Sequence, residues 1–359
     1  MQYNNCYVSA WIKSETKIYF IPINLNFLII YDEQKNKTNT FVIEKENFYQ
    51  NNLYSKCLKY KDKIIFIPAH AKHFLFFDIN THEMEYINIP KSKREHPEYG
   101  YFSGGIIKND SLYAVGYMYP GIVKIDLISQ AIMVIDINTQ KIKQLGYSFA
   151  VCNNRDIVLA SKKGTMLEFC IDDSCVQITD YSKFCFNGIT GYKEILWTID
   201  NGKKCIIECD RKTKNTSIIY LQEYALYLES ATYGFIEYVE GVLFLFPNKN
   251  APIITYNISE KKFSLIWVNI FDKIGFSVIA VNVDKEKVYV ADYDKKMTYQ
   301  INSKDYSMYE YEIPMNKMKI INTLANMEKV PMREDFIKLE EFIVYVVNLK
   351  IERQKNGKR

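Results

Sequence analysis

Four histidines occur in this chain of 359 residues, and three of them, His70, His73 and His96, fall close together in the sequence. Imidazole is the commonest metal ligand. Three rings around one zinc or manganese ion leave an open position, where a bound water becomes a base or nucleophile near neutral pH. Glu98 is the candidate carboxylate to work beside them. Lysine gives a second pattern: Lys72, Lys162-Lys163, Lys203-Lys204, Lys249 and Lys295-Lys296 recur at similar intervals, and Lys91, Lys93 and Arg94 add to them. Cations gathered on one rim attract phosphates, carboxylates or an acidic surface. A third pattern is a column of small polar residues, Ser9, Ser55, Ser103, Ser148 and Asn187. The stretch Gly100-Tyr101-Phe102-Ser103-Gly104-Gly105 lacks the GxSxG spacing of a nucleophile elbow, and no GxGxxG, Walker A loop or HExxH occurs.

The elements that position these residues repeat seven times. A short apolar run closes at Pro22, Pro68, Gly116, Ser161, Asp200, Pro247 and Asp292. A second run ends in a turn residue at Asp32, Asp78, Asp126, Asp172, Asp210, Asn257 and Asn302, offset by 10 in six repeats and by 11 in the fourth. Proline cannot donate to a sheet ladder and so marks a strand end, whereas Asp and Asn bond their own backbone and start a hairpin. In the second repeat Ser55 to Tyr60, Lys63 to Pro68, His73 to Asp78 and Glu83 to Ile89 read as four successive strands. Four short strands at a fixed period predict an all-β, seven-bladed β-propeller over residues 1–313. The third repeat is ambiguous, because Met133 to Gln140 also passes for a strand and turn; Asp126 keeps the common offset.

In such a ring the loops joining strands two to three and four to one open on one face. The parse places Lys72, Arg94, Ser103, Lys163, Lys204 and Lys296 there as candidate ligand-binding residues, with His70, His73 and His96 as candidate metal ligands. His82 falls on the opposite face. The small polar column lines the channel mouth, where strands converge and bulky side chains do not fit.

The repeats resemble the kelch-like and WD-like propellers, on runs such as Asp136-Ile137-Asn138-Thr139-Gln140-Lys141 and Asp210-Arg211-Lys212-Thr213-Lys214. The Gly-Gly after the second strand of a kelch blade and the Gly-His and Trp-Asp pairs of a WD blade are missing. The resemblance implies the fold and leaves the family open. Some seven-bladed lyases that cleave acidic sugars bind a divalent metal through histidines on such a face.

Composition narrows the rest. A net charge of +4 is too small for a dedicated nucleic-acid binder. No apolar run is long enough to cross a bilayer, and the first residues lack the pattern of an export signal, so the expected location is cytoplasmic. The eight cysteines then read as reduced thiols, with Cys205 and Cys209 as core side chains, and no CxxC points to metal. Residues 314–359 break the repeat: Glu334 to Asn348 carry an apolar stripe at helical spacing, predicting an amphipathic helix before a basic tail. That helix packs on the propeller or mediates self-association. The expected function is a non-catalytic scaffold binding a protein or anionic ligand on the lysine-rich face, without a cofactor. The alternative is a metal-dependent lyase or hydrolase acting on an anionic sugar.

Overall fold

Within each repeat the continuous apolar run becomes a strand covered on both sides, and the alternating run becomes an outer strand with one face in solvent. The computed structural model describes residues 8–23, 26–46, 52–91, 100–137, 148–152, 156–161, 163–181, 183–313 and 320–322. Blade 1 contains β1 (Val8–Ser14), β2 (Lys17–Pro22), β3 (Phe27–Asp32) and β4 (Lys37–Val42). Blade 2 contains β5 (Tyr54–Tyr60), β6 (Lys63–Pro68), β7 (His73–Asp78) and β8 (Met84–Asn88). Blade 3 contains β9 (Phe102–Lys108), β10 (Ser111–Gly116), β11 (Gly121–Asp126) and β12 (Ile132–Asp136). Blade 4 contains β13 (Ser148–Cys152), β14 (Asp156–Ala160), β15 (Thr165–Cys170) and β16 (Cys175–Asp180). Blade 5 contains β17 (Asn187–Tyr192), β18 (Ile195–Asp200), β19 (Cys205–Asp210) and β20 (Thr216–Tyr220). A short helix, α1 (Ala225–Ser230), leads to blade 6, with β21 (Tyr233–Val239), β22 (Val242–Pro247), β23 (Ile253–Asn257) and β24 (Lys262–Ile266). Blade 7 contains β25 (Val278–Asp284), β26 (Lys287–Asp292), β27 (Met297–Asn302) and β28 (Met308–Glu310).

Each blade is an antiparallel meander of four sequential strands, so the seven-bladed ring predicted from the repeats is the fold. β1 packs against both β5 and β25, which brings the first and last blades together. No strand is exchanged between them. Trp11 meets Tyr289 edge-on at 4.4 Å across this joint, and the Tyr311 hydroxyl donates to Glu33 at 3.0 Å. The core is distributed: apolar clusters straddle neighbouring blades, as where Ile21 and Leu28 of blade 1 join Tyr54, Phe66 and Phe77 of blade 2. Each buried Phe contributes about 2–3 kcal/mol of transfer free energy.

Both repeat columns have backbone causes. Asp200 accepts the N–H of Cys185 at 3.0 Å and of Lys203 at 2.9 Å; Asp292 does the same for Ser277 (3.1 Å) and Lys295 (2.9 Å). At Gly116 a Cβ would sit 2.1 Å from the Tyr119 carbonyl oxygen, so the loop closes only over glycine. In the second column Asp78, Asp126, Asp210, Asn257 and Asn302 each accept turn N–H groups, Asp78 from Asn80 and Thr81 at 2.8 and 2.9 Å. The choice of Asp126 in blade 3 agrees with the end of β11. Blade 4 differs from the sequence parse: β15 ends at Cys170, and Asp172 lies within the turn.

In six blades the small polar column marks or adjoins a β-bulge, whereas in blade 4 Ser148 pairs in register with Ala160. The register of the inner strand slips at Ser9, Ser55, Ser103, Gly188, Gly234 and Ile279. The Ser55 hydroxyl donates to the Ile67 carbonyl at 3.3 Å, the Ser103 hydroxyl to Val115 at 3.4 Å, and the Asn187 amide to Ile199 at 3.4 Å. These side chains satisfy carbonyls that the bulge leaves without a ladder partner.

After blade 7, residues 320–322 are helical, with Ile320 and Ile321 buried. The expected helix from Glu334 to Asn348 lies outside the described residues.

One polar cluster ties blades 4 and 5. Arg211 donates to Asp156 at 2.6 Å and to Glu168 at 3.1 Å, and all three side chains are nearly inaccessible to water. Removing the guanidinium takes its cation from buried Asp156 and leaves Glu168 with Lys214 alone, at 3.0 Å. Arg211→Ala is therefore expected to lower the unfolding free energy by about 3–5 kcal/mol, measured by urea titration.

Candidate functional site

The loop face is stitched by backbone bonds. The loop before β5 receives the N–H groups of Ala69 and Ala71 at the Leu53 carbonyl, and Tyr101 donates to Ala69 at 2.6 Å. This network holds His70 and His73 on one segment.

His73 opens β7, and Glu46 comes from the loop between β4 and β5. The Glu46 carboxylate accepts the N–H of Lys72 at 2.9 Å, the N–H of His73 at 3.0 Å and Nδ1 of His73 at 2.7 Å. Its side chain is 1% exposed, that of His73 18%. Two backbone donors already point at the carboxylate, so it acts as an acceptor and Nδ1 carries the proton. Nε2 is the ring nitrogen that this bond leaves over. This is the arrangement that orients a general base or a metal-bound imidazole. The ring edge rests against Tyr86, and Lys45 Nζ stands 5.0 Å over the same tyrosine.

The other expected residues are placed as follows. His70 is half-buried, beside Gly100. Among the described residues, His70 and His73 do not share a three-ligand group with any other candidate. Lys162, Lys93, Arg94, His96 and Glu98 lie outside the described residues. Ser103 is engaged by the Val115 carbonyl at the bulge. His82 stacks on Phe77 in the turn after β7, at the other end of the blade.

The lysines divide into two groups. Lys204 pairs with Glu229, Lys295 with Asp292 at 3.0 Å, and Lys203 binds the Lys183 carbonyl oxygen while lying 4.4 Å over the Phe184 ring. Lys72, Lys163, Lys249 and Lys296 are exposed, and no carboxylate among the described residues pairs with them. The same face carries apolar side chains: Phe271, 94% exposed at the tip of the loop between β24 and β25, with Ile270, Tyr293 and Leu226.

At the opposite end of blade 4 the structure corrects the expectation of no cofactor. One sulfur each from Cys170 and Cys175 and a carboxylate oxygen of Asp173 all lie within 4.8 Å of one another, a set able to hold a metal ion. Sequence reasoning passed over it by searching for CxxC. The signal was a spacing of five across a hairpin, which pairs Cys170 directly opposite Cys175.

No family model matches this chain, and no curated protein matches it. Solved structures do. A streptogramin B lyase shares 10% identity and a TM-score of 0.63, over 87% of this chain and 96% of its own. PorZ, a surface component of the type-IX secretion system of Porphyromonas gingivalis, shares 9% identity and a TM-score of 0.55 over 87% of this chain. An extracellular domain from B. thetaiotaomicron, of a protein described as a hybrid two-component system, shares 10% identity and a TM-score of 0.58 over 86%. This chain spans 39% and 38% of the length of the last two. Such likeness defines a seven-bladed β-propeller and leaves kelch or WD membership unassigned. The expectation of a cytoplasmic location is withdrawn, because propellers matching most of the chain include surface and extracellular ones. No described helix is long and apolar enough to cross a membrane.

Two outcomes follow. Glu46→Ala leaves the Lys72 and His73 N–H groups without their acceptor; it is expected to cost about 2–3 kcal/mol in urea and to speed amide exchange at both residues. Burial pushes the Cys205 thiol up to about 11 and the Cys209 thiol up to about 12. Both remain protonated at neutral pH, so among the described cysteines alkylation is expected to label exposed Cys175 first and to spare Cys57, Cys205 and Cys209 until the protein unfolds.

Proposed function

We propose that the protein binds an anionic ligand on its loop face and that His73, oriented by Glu46, acts on that ligand as a base or metal ligand. The reading is closer to a metal-dependent lyase or hydrolase on an anionic sugar than to a passive scaffold. The observation that carries it is the buried Glu46 carboxylate 2.7 Å from Nδ1 of a partly exposed imidazole. Lys72, adjacent in sequence and exposed, supplies a cation beside it. Lys163, Lys249 and Lys296 extend the positive field around the rim. The likeness to a lyase supports the reading only through the shared fold.

The residues fit a metal in part. Glu46 fixes the His73 ring through Nδ1, and His70 lies on the same segment. A bound ion would supply a Lewis acid and an activated water. This chain's own part is to hold the ring, present Nε2 and attract the anion.

A protein-binding role for the same face draws on Phe271, Ile270 and Leu226, since exposed aromatic and apolar side chains anchor interfaces. The propeller over residues 1–313 with a separate extension over 314–359 is the domain division proposed with both readings.

The test is a panel of uronate-containing oligosaccharides, followed by binding calorimetry and by the ultraviolet absorbance of a new carbon–carbon double bond or by reducing-end release. His73→Gln is expected to lower turnover by about a hundredfold or more while binding persists, as for loss of a general base. Binding is expected to weaken in high salt and in a Lys72→Glu, Lys296→Glu variant. Equal turnover in the His73 variant, or binding indifferent to salt and charge reversal, contradicts the reading.

A further inference from the structure

All seven blades close their third and fourth strands with the same turn. The residue four places after the end of the third strand has a positive φ in every case: Asn36, His82, Gln130, Ser174, Lys214, Lys261 and Tyr306, with values between 48° and 63°. In this turn, side chains at the first and fourth positions can bond backbone N–H groups further along it. In blade 2, Asp78 accepts the Thr81 N–H at 2.9 Å, and the Thr81 hydroxyl accepts the Glu83 N–H at 3.3 Å. In blade 7, the Asp305 carboxylate accepts both the N–H of Ser307, at 2.9 Å, and its hydroxyl, at 2.7 Å.

Blade 4 keeps the turn and changes its side chains. The first, fourth and sixth positions are Cys170, Asp173 and Cys175. Cys170 and Cys175 are a directly opposed cross-strand pair, and the Cys170 thiol lies 3.4 Å from an Asp173 carboxylate oxygen. Here a thiol stands at the first position, where the other six blades place Asp or Asn, and a carboxylate and a second thiol stand at the fourth and sixth. Neighbouring Asp172 is drawn away by Lys108 of blade 3, at 2.6 Å.

We infer that Cys170, Asp173 and Cys175 hold one divalent, thiophilic metal ion of the zinc class at the tip of the blade 4 hairpin. In a tetrahedral zinc site with sulfur ligands at about 2.3 Å, ligand atoms stand about 3.8 Å apart. The three donors already lie within 4.8 Å of one another, so closing on an ion takes rotamer adjustments and no movement of strands. Two thiolates select zinc over manganese, which prefers oxygen. On binding, both thiols lose their protons to solvent and the ion takes three protein ligands. The fourth position faces solvent, open to water or to a donor from a partner. The site is at the opposite end of its blade from the loops that carry Glu46 and His73, and the inference is independent of the function proposed for them.

The test uses the full chain without a histidine tag, reduced, stripped with chelator and desalted. Cobalt is titrated while the thiolate-to-cobalt charge-transfer absorption is followed, and zinc affinity is read by competition with a chromophoric chelator. One equivalent with a thiolate band is expected. Cys170→Ser and Cys175→Ser are each expected to weaken binding about tenfold or more, and Cys185→Ser to leave it unchanged. Urea midpoints of the variants, which lie on an exposed turn, verify that they fold. A reduced protein that binds no ion contradicts the inference, as does an ion still bound by the double Cys170→Ser, Cys175→Ser variant. If the two thiols only form a disulfide and the reduced pair takes up no metal, the site is a redox couple and the metal assignment is wrong.

Discussion

The structure depends on the second strand of each blade, whose apolar side chains are covered on both faces. In β6, Ile64 to Ile67 are fully buried, because one face packs toward blade 1 and the other toward blade 3. A strand of this kind cannot stand in a lone sheet, so each blade requires its neighbours, and the ring closes once the seventh blade meets the first. At that last joint Ile23 clusters with Ala291, Ile279 and Ala280, and Ile18, Phe20 and Ile29 of blade 1 are buried as well. Aromatic and polar contacts of Trp11, Tyr289, Glu33 and Tyr311 reinforce it.

Convergence of the inner strands on the axis has a second consequence. Bulges near the start of the inner strands leave carbonyls to be satisfied, and Ser55, Ser103 and Asn187 are spent on them. Asp200 and Asp292 are likewise spent on entering backbone. The polar groups at the channel mouth thus hold the ring together. Those that remain available lie further out, in the loops around Glu46 and His73 and on the unpaired lysines.

Much of the fold was legible because hydrophobic runs and turn residues recur in register. Blade 3, with two candidate turns, was resolved by the common offset. Blade 4 departs from the parse because its third strand ends in Cys170 where the six others end in Asp or Asn, and the turn-forming Asp172 lies two residues further on. Strand ends follow the ladder, which is set by the backbone partners of Asp156 and not by the turn-forming side chain. The small column was read as a steric requirement; Ser55, Ser103 and Asn187 instead bond carbonyls at the bulge, which leaves no mark in composition. The site was less legible. Glu46 and His73 are distant in sequence and meet through a loop between blades, and nothing in the lysine pattern distinguished Lys204, held by Glu229, from free Lys72. The paired thiols escaped because a hairpin, unlike a zinc knuckle, separates its ligands by a whole turn.

His73 and His82 lie on opposite ends of the same blade, one held by Glu46 and the other stacked on Phe77. The most direct measurement is therefore an NMR titration of the full chain with an oligouronate, following the imidazole carbon-bound protons of the four histidines. The account predicts saturable shifts of the His73 resonance with the His82 resonance unmoved. A His73 resonance indifferent to the ligand, or a response confined to His82, would place the working surface elsewhere.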